Sequence, residues 1–144
     1  MTRSQESVAG TQYLSAQASV DPGGVSAAMA LHDLATSIEG EVVTPADPGW
    51  DEARQPWDLV DQRPALVAMP VDADDVRAIV HSARQHGLRV APQGTGHNAG
   101  PLGPLGDTIL SSTSGMRGIE IDPAQKRARV EAGVLWSEVT RALF

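Results

Sequence analysis

Residues 90–103 read VAPQGTGHNAGPLG and hold the groups in this chain best suited to grip an anion. Gly94, Gly96 and Gly100 crowd a short segment, with a single imidazole, His97, among small neighbours. Glycine tolerates positive φ and carries no Cβ, so successive N–H groups in such a turn can converge on a phosphate. The spacing is G-x-G-x-x-x-G, which differs from the G-x-G-x-x-G dinucleotide fingerprint. Pro101 and Pro104 also forbid a helix directly after the loop. A Rossmann-type site is therefore excluded, while a diphosphate cradle without a helix dipole is compatible with these residues. The alternative is a plain surface turn, in which His97 is a hydrogen-bonding or solvated group.

The remaining chemistry-bearing residues give weaker patterns. His81 and His86 are five apart on one candidate helix and point to separated faces, which argues against a shared metal. With no cysteine and four histidines, no metal cluster is expected. Asp47, Asp51, Glu52, Asp58 and Asp61 read better as a solvated, turn-forming loop than as a catalytic pair. Ser111, Ser112, Thr113 and Ser114 could donate to phosphate or ribose oxygens, or simply form a polar turn after a strand. Trp136 could stack on an aromatic ligand, but its phase with Val139 and Leu143 suits a core contact at least as well.

The elements that must position the loop are legible on either side of it. Ala65–Met69 is a continuous apolar run ending at Pro70 and predicts a buried strand. Asp72 can cap the helix that follows, and Asp72 and Asp75 both favour its positive end. Ala73, Val76, Ile79, Val80 and Ala83 form its apolar stripe, and Gly87 closes it. Leu88–Ala91 starts a second strand, which makes a βαβ unit with parallel strands. Beyond the loop, Thr108–Leu110 reads as extended. Ile119–Ile121 and Ala128–Glu131 read as a hairpin around Asp122-Pro123-Ala124-Gln125. Trp136, Val139 and Leu143 open a last helix. Upstream, Ser26–Ile38 predicts a short amphipathic helix, Val42 and Val43 a short strand, and residues 44–64 a long irregular connection rich in proline and acid.

The composition bounds the rest. Residues 1–24 hold few large apolar groups and are expected to form a loose, disordered tail. Residues 25–62 then supply the first helix, the short strand and the acidic Pro-rich loop, and residues 63–144 the main α+β unit. A net charge of −7 argues against a nucleic-acid or anionic-membrane partner. The absence of cysteine removes disulfides and thiol catalysis. Neither a secretory signal nor a run of spanning length is evident, so the default expectation is a cytoplasmic protein. The apolar end at Ala142-Leu143-Phe144, about two turns into a helix, suggests a truncated chain.

Several ordered motifs together carry a resemblance. RPALVAMPVDADDVRAIVHSARQHGLRVAPQGTGHNAG, residues 63–100, resembles the opening of the FAD-binding (PCMH-type) domain of the vanillyl-alcohol oxidase superfamily, in particular that of the berberine-bridge-enzyme-like oxidases. MRGIEIDPAQKRARVEAGVLWSEV, residues 116–139, is similar to a later motif of the same domain. The resemblance covers about residues 40–144. It implies the first subdomain of that domain, a βαβ unit followed by short mixed strands. It also implies FAD, with its pyrophosphate on the amides of Gly94, Thr95, Gly96, His97 and Asn98. His97 matches the family histidine that bonds covalently to the flavin 8α-methyl carbon. Gln93 and Thr95 depart from the family's Arg and Gly, which leaves one positive charge fewer near the diphosphate. The implied activity is that of a flavin-dependent oxidoreductase acting on a small-molecule substrate, with the substrate-binding and base residues beyond this chain. The rival readings are a non-catalytic nucleotide-diphosphate-binding module and an inactive truncated fragment.

Overall fold

The computed structural model describes residues 22–143. Helix α1 (Pro22–Ser37) is followed by β1 (Glu41–Val43), a one-turn α2 (Trp50–Ala53), β2 (Leu66–Met69), α3 (Ala73–Gln85) and β3 (Arg89–Gln93). Then come β4 (Thr108–Ser112), β5 (Ile119–Asp122), β6 (Arg127–Val130) and α4 (Trp136–Leu143). Short 3-10 turns at Gly100–Leu102 and Thr113–Gly115 flank β4. Helix α1 begins at Pro22, inside the stretch assigned above to the tail, because proline is pre-set for the first helical position. The rest of that tail, and Phe144, lie outside the described residues.

Four strands form one sheet in the order β1-β2-β4-β3, and β5 and β6 form a separate hairpin. The βαβ expectation holds in direction, since β2 and β3 both run parallel to β4. They are not neighbours, however, because β4 inserts between them. β1 pairs antiparallel with β2, and Pro92 lies within the edge strand β3.

Alternation along the strands builds two layers of core. Leu66, Ala68 and Ile109 face α1 and α3, where they meet Ala30, Leu34, Ile79 and Ala83. Leu34 and Ile79 are fully buried, each contributing about 1.5–3 kcal/mol relative to exposure. Val67 and Leu110 face the other way, onto Val43, Ala91, Leu105 and the α2 side chains Trp50 and Ala53. The continuous apolar run of β2 thus reflects burial on both faces.

Caps and turns fix the ends. Asp72 accepts from the amides of Asp74 and Asp75 at 2.8 and 2.9 Å, as its position before α3 predicts. Gly87 takes φ +68°, and the Leu88 amide donates to the Ala83 carbonyl at 2.8 Å, a Schellman closure. Asp75 stands in the first turn of α3 as expected, and its carboxylate also reaches beyond the helix. It is 3% exposed and accepts from the amides of Glu39, Gly40 and Val71 at 2.9, 2.9 and 3.0 Å. Burial raises its pKa, but these three amides outweigh that and hold it below the usual aspartate value. The carboxylate thereby ties the α1–β1 connection to the end of β2.

The hairpin forms where expected, with Ile119 opposite Val130 and Asp122 opposite Arg127. It is linked to the sheet through Thr113, whose hydroxyl lies 3.3 Å from the Gln93 carbonyl and 3.2 Å from that of Ala132. In α4, Val139 is buried, but Trp136 is 79% exposed, so the expected core contact of Trp136 is not made. Among the described residues, no helix is long and apolar enough to cross a membrane.

Candidate functional site

The glycine loop leaves the sheet where β3 ends, with Gln93 still paired to Ser112. The turn is built on Gly96, at φ +72°. A Cβ there would stand 2.5 Å from Pro56 Cβ and 2.9 Å from Pro56 Cα, so only glycine fits. The Trp57 amide donates to the Thr95 carbonyl at 2.9 Å, and the Ala99 amide to the Gly96 carbonyl at 3.2 Å. The chain then re-enters the core at Ala99, which is 4% exposed. Gly94 to Asn98 therefore project as a short arch held at both feet.

The arch leaves its donors free. Among the described residues, the amides of Thr95, Gly96, His97 and Asn98 donate to no backbone or side-chain acceptor. Thr95 Oγ1 lies 2.9 Å from His97 Nδ1. Together with Pro92, Ala99 and Leu102, these residues line a cavity of about 250 Å3 that, among the described residues, no carboxylate lines. A second cavity of about 540 Å3 shares Gln93, Gly94 and Thr95 with the first. Its far walls carry Glu41, Glu52, Gln55, Ser112 and Ser114. Among the described residues, neither cavity is lined by lysine or arginine.

This division suits an elongated ligand of mixed character. An anionic group is compatible with the smaller cavity, which residues with acceptor-free amides line and, among the described residues, no carboxylate lines. The larger, partly acidic cavity suits a neutral portion bearing hydroxyl or amine donors. Gln93 sits at the junction, 7% exposed, with Oε1 buried and without a partner among the described residues. A buried polar atom left unpaired costs about 1–3 kcal/mol, which marks this carboxamide as unusual for a purely structural residue.

The acidic Pro-rich connection proves to be the support of the arch. Arg54, its side chain 14% exposed, donates to Asp51 Oδ1 at 2.6 Å and to the Gln62 carbonyl at 2.6 Å, and it also pairs with Asp61. The Arg54 and Arg63 guanidiniums hold the Asp61 carboxyl below its usual range. Thr44, through its hydroxyl and its amide, does the same for Asp47. These ties bring Pro56 and Trp57 against the loop. The acids named earlier are thus loop-forming groups, except that Glu52 lines the larger cavity.

Other candidates separate from the site. His86 Nε2 lies 2.6 Å from Asp33 Oδ2 and joins α3 to α1. Among the described residues, no group of three potential metal-ligating side chains is assembled. Ser111 and Ser112 belong to β4 and are buried, not in a turn, because that strand runs further than its apolar residues suggest. Ser112 Oγ still reaches Ser114 Oγ at 3.1 Å on the wall of the larger cavity. Glu41 and Pro56 were not apparent as site residues, since nothing local in their sequence places Pro56 against Gly96 or Glu41 in the larger cavity.

The site is thus a glycine arch at the end of a parallel strand of a mixed sheet, with four amides that have no acceptor among the described residues. Residues 64–144 match the FAD binding domain family, and the chain belongs to that family. It is 35% identical over 106 residues to (R)-6-hydroxynicotine oxidase of Paenarthrobacter nicotinovorans, a match covering 73% of this chain and 23% of that protein. The crystal structure of 6-hydroxy-D-nicotine oxidase from Arthrobacter nicotinovorans superposes with a TM-score of 0.68 at 34% identity, covering 74% of this chain and 24% of that one. The BBE-like 1 protein of Physcomitrella patens shares the fold, with a TM-score of 0.70 at 24% identity, over 79% of this chain and 25% of that one. The chain thus spans about a quarter of the length of these relatives.

Proposed function

We propose that this chain forms the FAD-binding part of a flavin-dependent oxidoreductase, with the cofactor's pyrophosphate held by the amides of Gly94, Thr95, Gly96, His97 and Asn98. The observation that supports it is the set of amides without acceptors on a buttressed arch, whose residues line a cavity that no carboxylate lines among the described residues. The ribose hydroxyls and the adenine amine suit the larger cavity, where Glu41, Glu52 and Ser112 can accept hydrogen bonds. When bound, the flavin supplies hydride acceptance at N5 from an organic small-molecule substrate. Groups that bind that substrate or move its protons belong to the remainder of the fold seen in the longer relatives. His97, exposed at the tip of the arch, is the anchor in this reading, joined covalently to the flavin 8α carbon.

Titration with FAD, FMN and ADP, followed by flavin fluorescence and calorimetry, tests the cofactor assignment. FAD is expected to bind more tightly than ADP, and FMN weakly. Equal binding of ADP and FAD would instead make the chain a nucleotide-diphosphate module without flavin preference. For the covalent anchor, the full reading frame is precipitated with acid and the protein band inspected for flavin fluorescence. Retained flavin in the wild type and its loss in His97→Ala are expected. No retained flavin in either one overturns the anchor.

A further inference from the structure

We propose that the cleft between α1 and α3 is a binding site for a small primary alkylammonium ion, with Asp33 and Ser82 as its principal partners. The site is separate from the glycine arch. Helices α1 and α3 cover the sheet face opposite α2, and no residue of this cleft lines either cavity beside the arch.

The cleft has a volume of about 350 Å3. Ser82 lines it, 4% exposed, and its Oγ is buried with no hydrogen-bond partner among the described residues. A mid-helix serine can turn its hydroxyl to the carbonyl one turn back and be satisfied there. Here that bond is not made, and a buried hydroxyl left alone is unfavourable, so a partner from the cleft is called for. The neighbouring groups decide which partner. Asp33 supplies a carboxylate: Oδ2 lies 2.6 Å from His86 Nε2, and Oδ1 has no partner among the described residues. The hydroxyls of Thr36 and Ser37 donate to the Asp33 carbonyl at 3.1 and 2.8 Å, so their oxygens keep lone pairs that can accept. Both stand in the last turn of α1, which carries no basic residue, so the negative end of that helix is uncompensated. Gln85 and the exposed His81 also line the cleft and add further acceptor atoms, whereas among the described residues no lysine or arginine lines it. One carboxylate amid several acceptors matches an ammonium head, which has three N–H donors and no acceptor. The alkyl part has its own place. Asp33 and Gln85 are shared with an adjoining hollow of about 450 Å3, whose other walls include Val25, Ala28 and Met29. Val25 and Met29 are 48% and 53% exposed, so apolar surface beside the carboxylate is available for burial by a short chain.

Titration of the isotope-labelled chain with n-butylammonium chloride at neutral pH, followed by amide NMR shifts, tests the site. The amine is protonated under these conditions, as a lysine side chain is. Saturable shifts are expected at the amides of residues 33–37 and 78–85, with half-saturation at about 1–10 mM. n-Butanol keeps the chain without the charge, and ammonium chloride keeps the charge without the chain. Each is expected to bind about tenfold more weakly. Ser82→Ala removes a hydroxyl that bonds to nothing else among the described residues, and should weaken butylammonium binding about three- to tenfold. Asp33→Asn should weaken it by about tenfold or more. No saturable shift at those amides up to about 100 mM overturns the proposal and leaves Ser82 to a bound water. Equal binding of n-butanol or of ammonium overturns it as well, and so does a Ser82→Ala or Asp33→Asn variant that binds as wild type. The comparison of the three probes uses the wild-type chain alone, so the test stands whether or not a variant folds.

Discussion

The amide of Trp57 donates to the carbonyl of Thr95 across 2.9 Å, and this bond joins a loop without regular structure to the arch that carries the candidate site. Segment 54–57 is itself tied down by Arg54, so the geometry of residues 94–98 depends on residues some forty positions earlier.

Gly96→Ala tests that dependence. The new Cβ would meet Pro56 at 2.5 Å, and alanine at φ +72° is strained as well. A stability loss of about 2 kcal/mol is expected in chemical denaturation. FAD affinity should fall by about tenfold or more in a fluorescence titration, since the amides no longer converge. Unchanged affinity would detach the arch from the cofactor.

Gln93→Met should act in opposite directions on folding and binding. It replaces a buried carboxamide whose Oε1 lacks a partner with an apolar group of similar length. The free protein should gain about 1 kcal/mol in stability. Loss of a donor and acceptor at the junction of the cavities should weaken FAD binding severalfold. A Met variant that is less stable and binds FAD as well as wild type would assign Gln93 to packing alone.

Asp75 sets an acid limit on the fold. Burial raises its pKa, three amides together lower it by more, and the net shift is downward. Its stabilisation is therefore complete above the unfolded value near 3.8 and is lost as pH falls through the lower folded value. Asp75→Asn sets an amide NH2 group against backbone donors, and should cost about 2 kcal/mol at neutral pH. The difference between variant and wild type should shrink below pH 4, which urea melts across the acid range can measure.

Trp136→Ser should change stability by no more than about 0.5 kcal/mol, because the ring is 79% exposed. A larger loss would restore the core contact expected from its helical phase.

What was legible in the sequence was local. Asp72 and Gly87 bracket α3 because a cap and a left-handed stop act within a few residues of themselves. β2 was legible because burial on both faces leaves an uninterrupted apolar run. The glycine loop stood out by composition, and the amides of Thr95, Gly96, His97 and Asn98 have no acceptor among the described residues. Long-range partnerships were not legible. Asp75 is the first-turn acid the sequence suggests, but its further partners at residues 39 and 40 are 35 or more positions away and were not legible. β4 inserts between β2 and β3 although nothing in its few apolar residues encodes that place. Pro56 and Glu52 lay in a segment that reads as solvated turns, and only the tertiary structure sets them against the loop and the larger cavity.

Pro92 lies in β3, the strand at one margin of the four-stranded sheet. A margin strand normally offers an unbroken row of N–H donors onto which a neighbouring chain can add its own strand. Proline removes one donor from that row, one residue before Gln93 and two before the arch begins. Polymerisation through this margin is thereby discouraged.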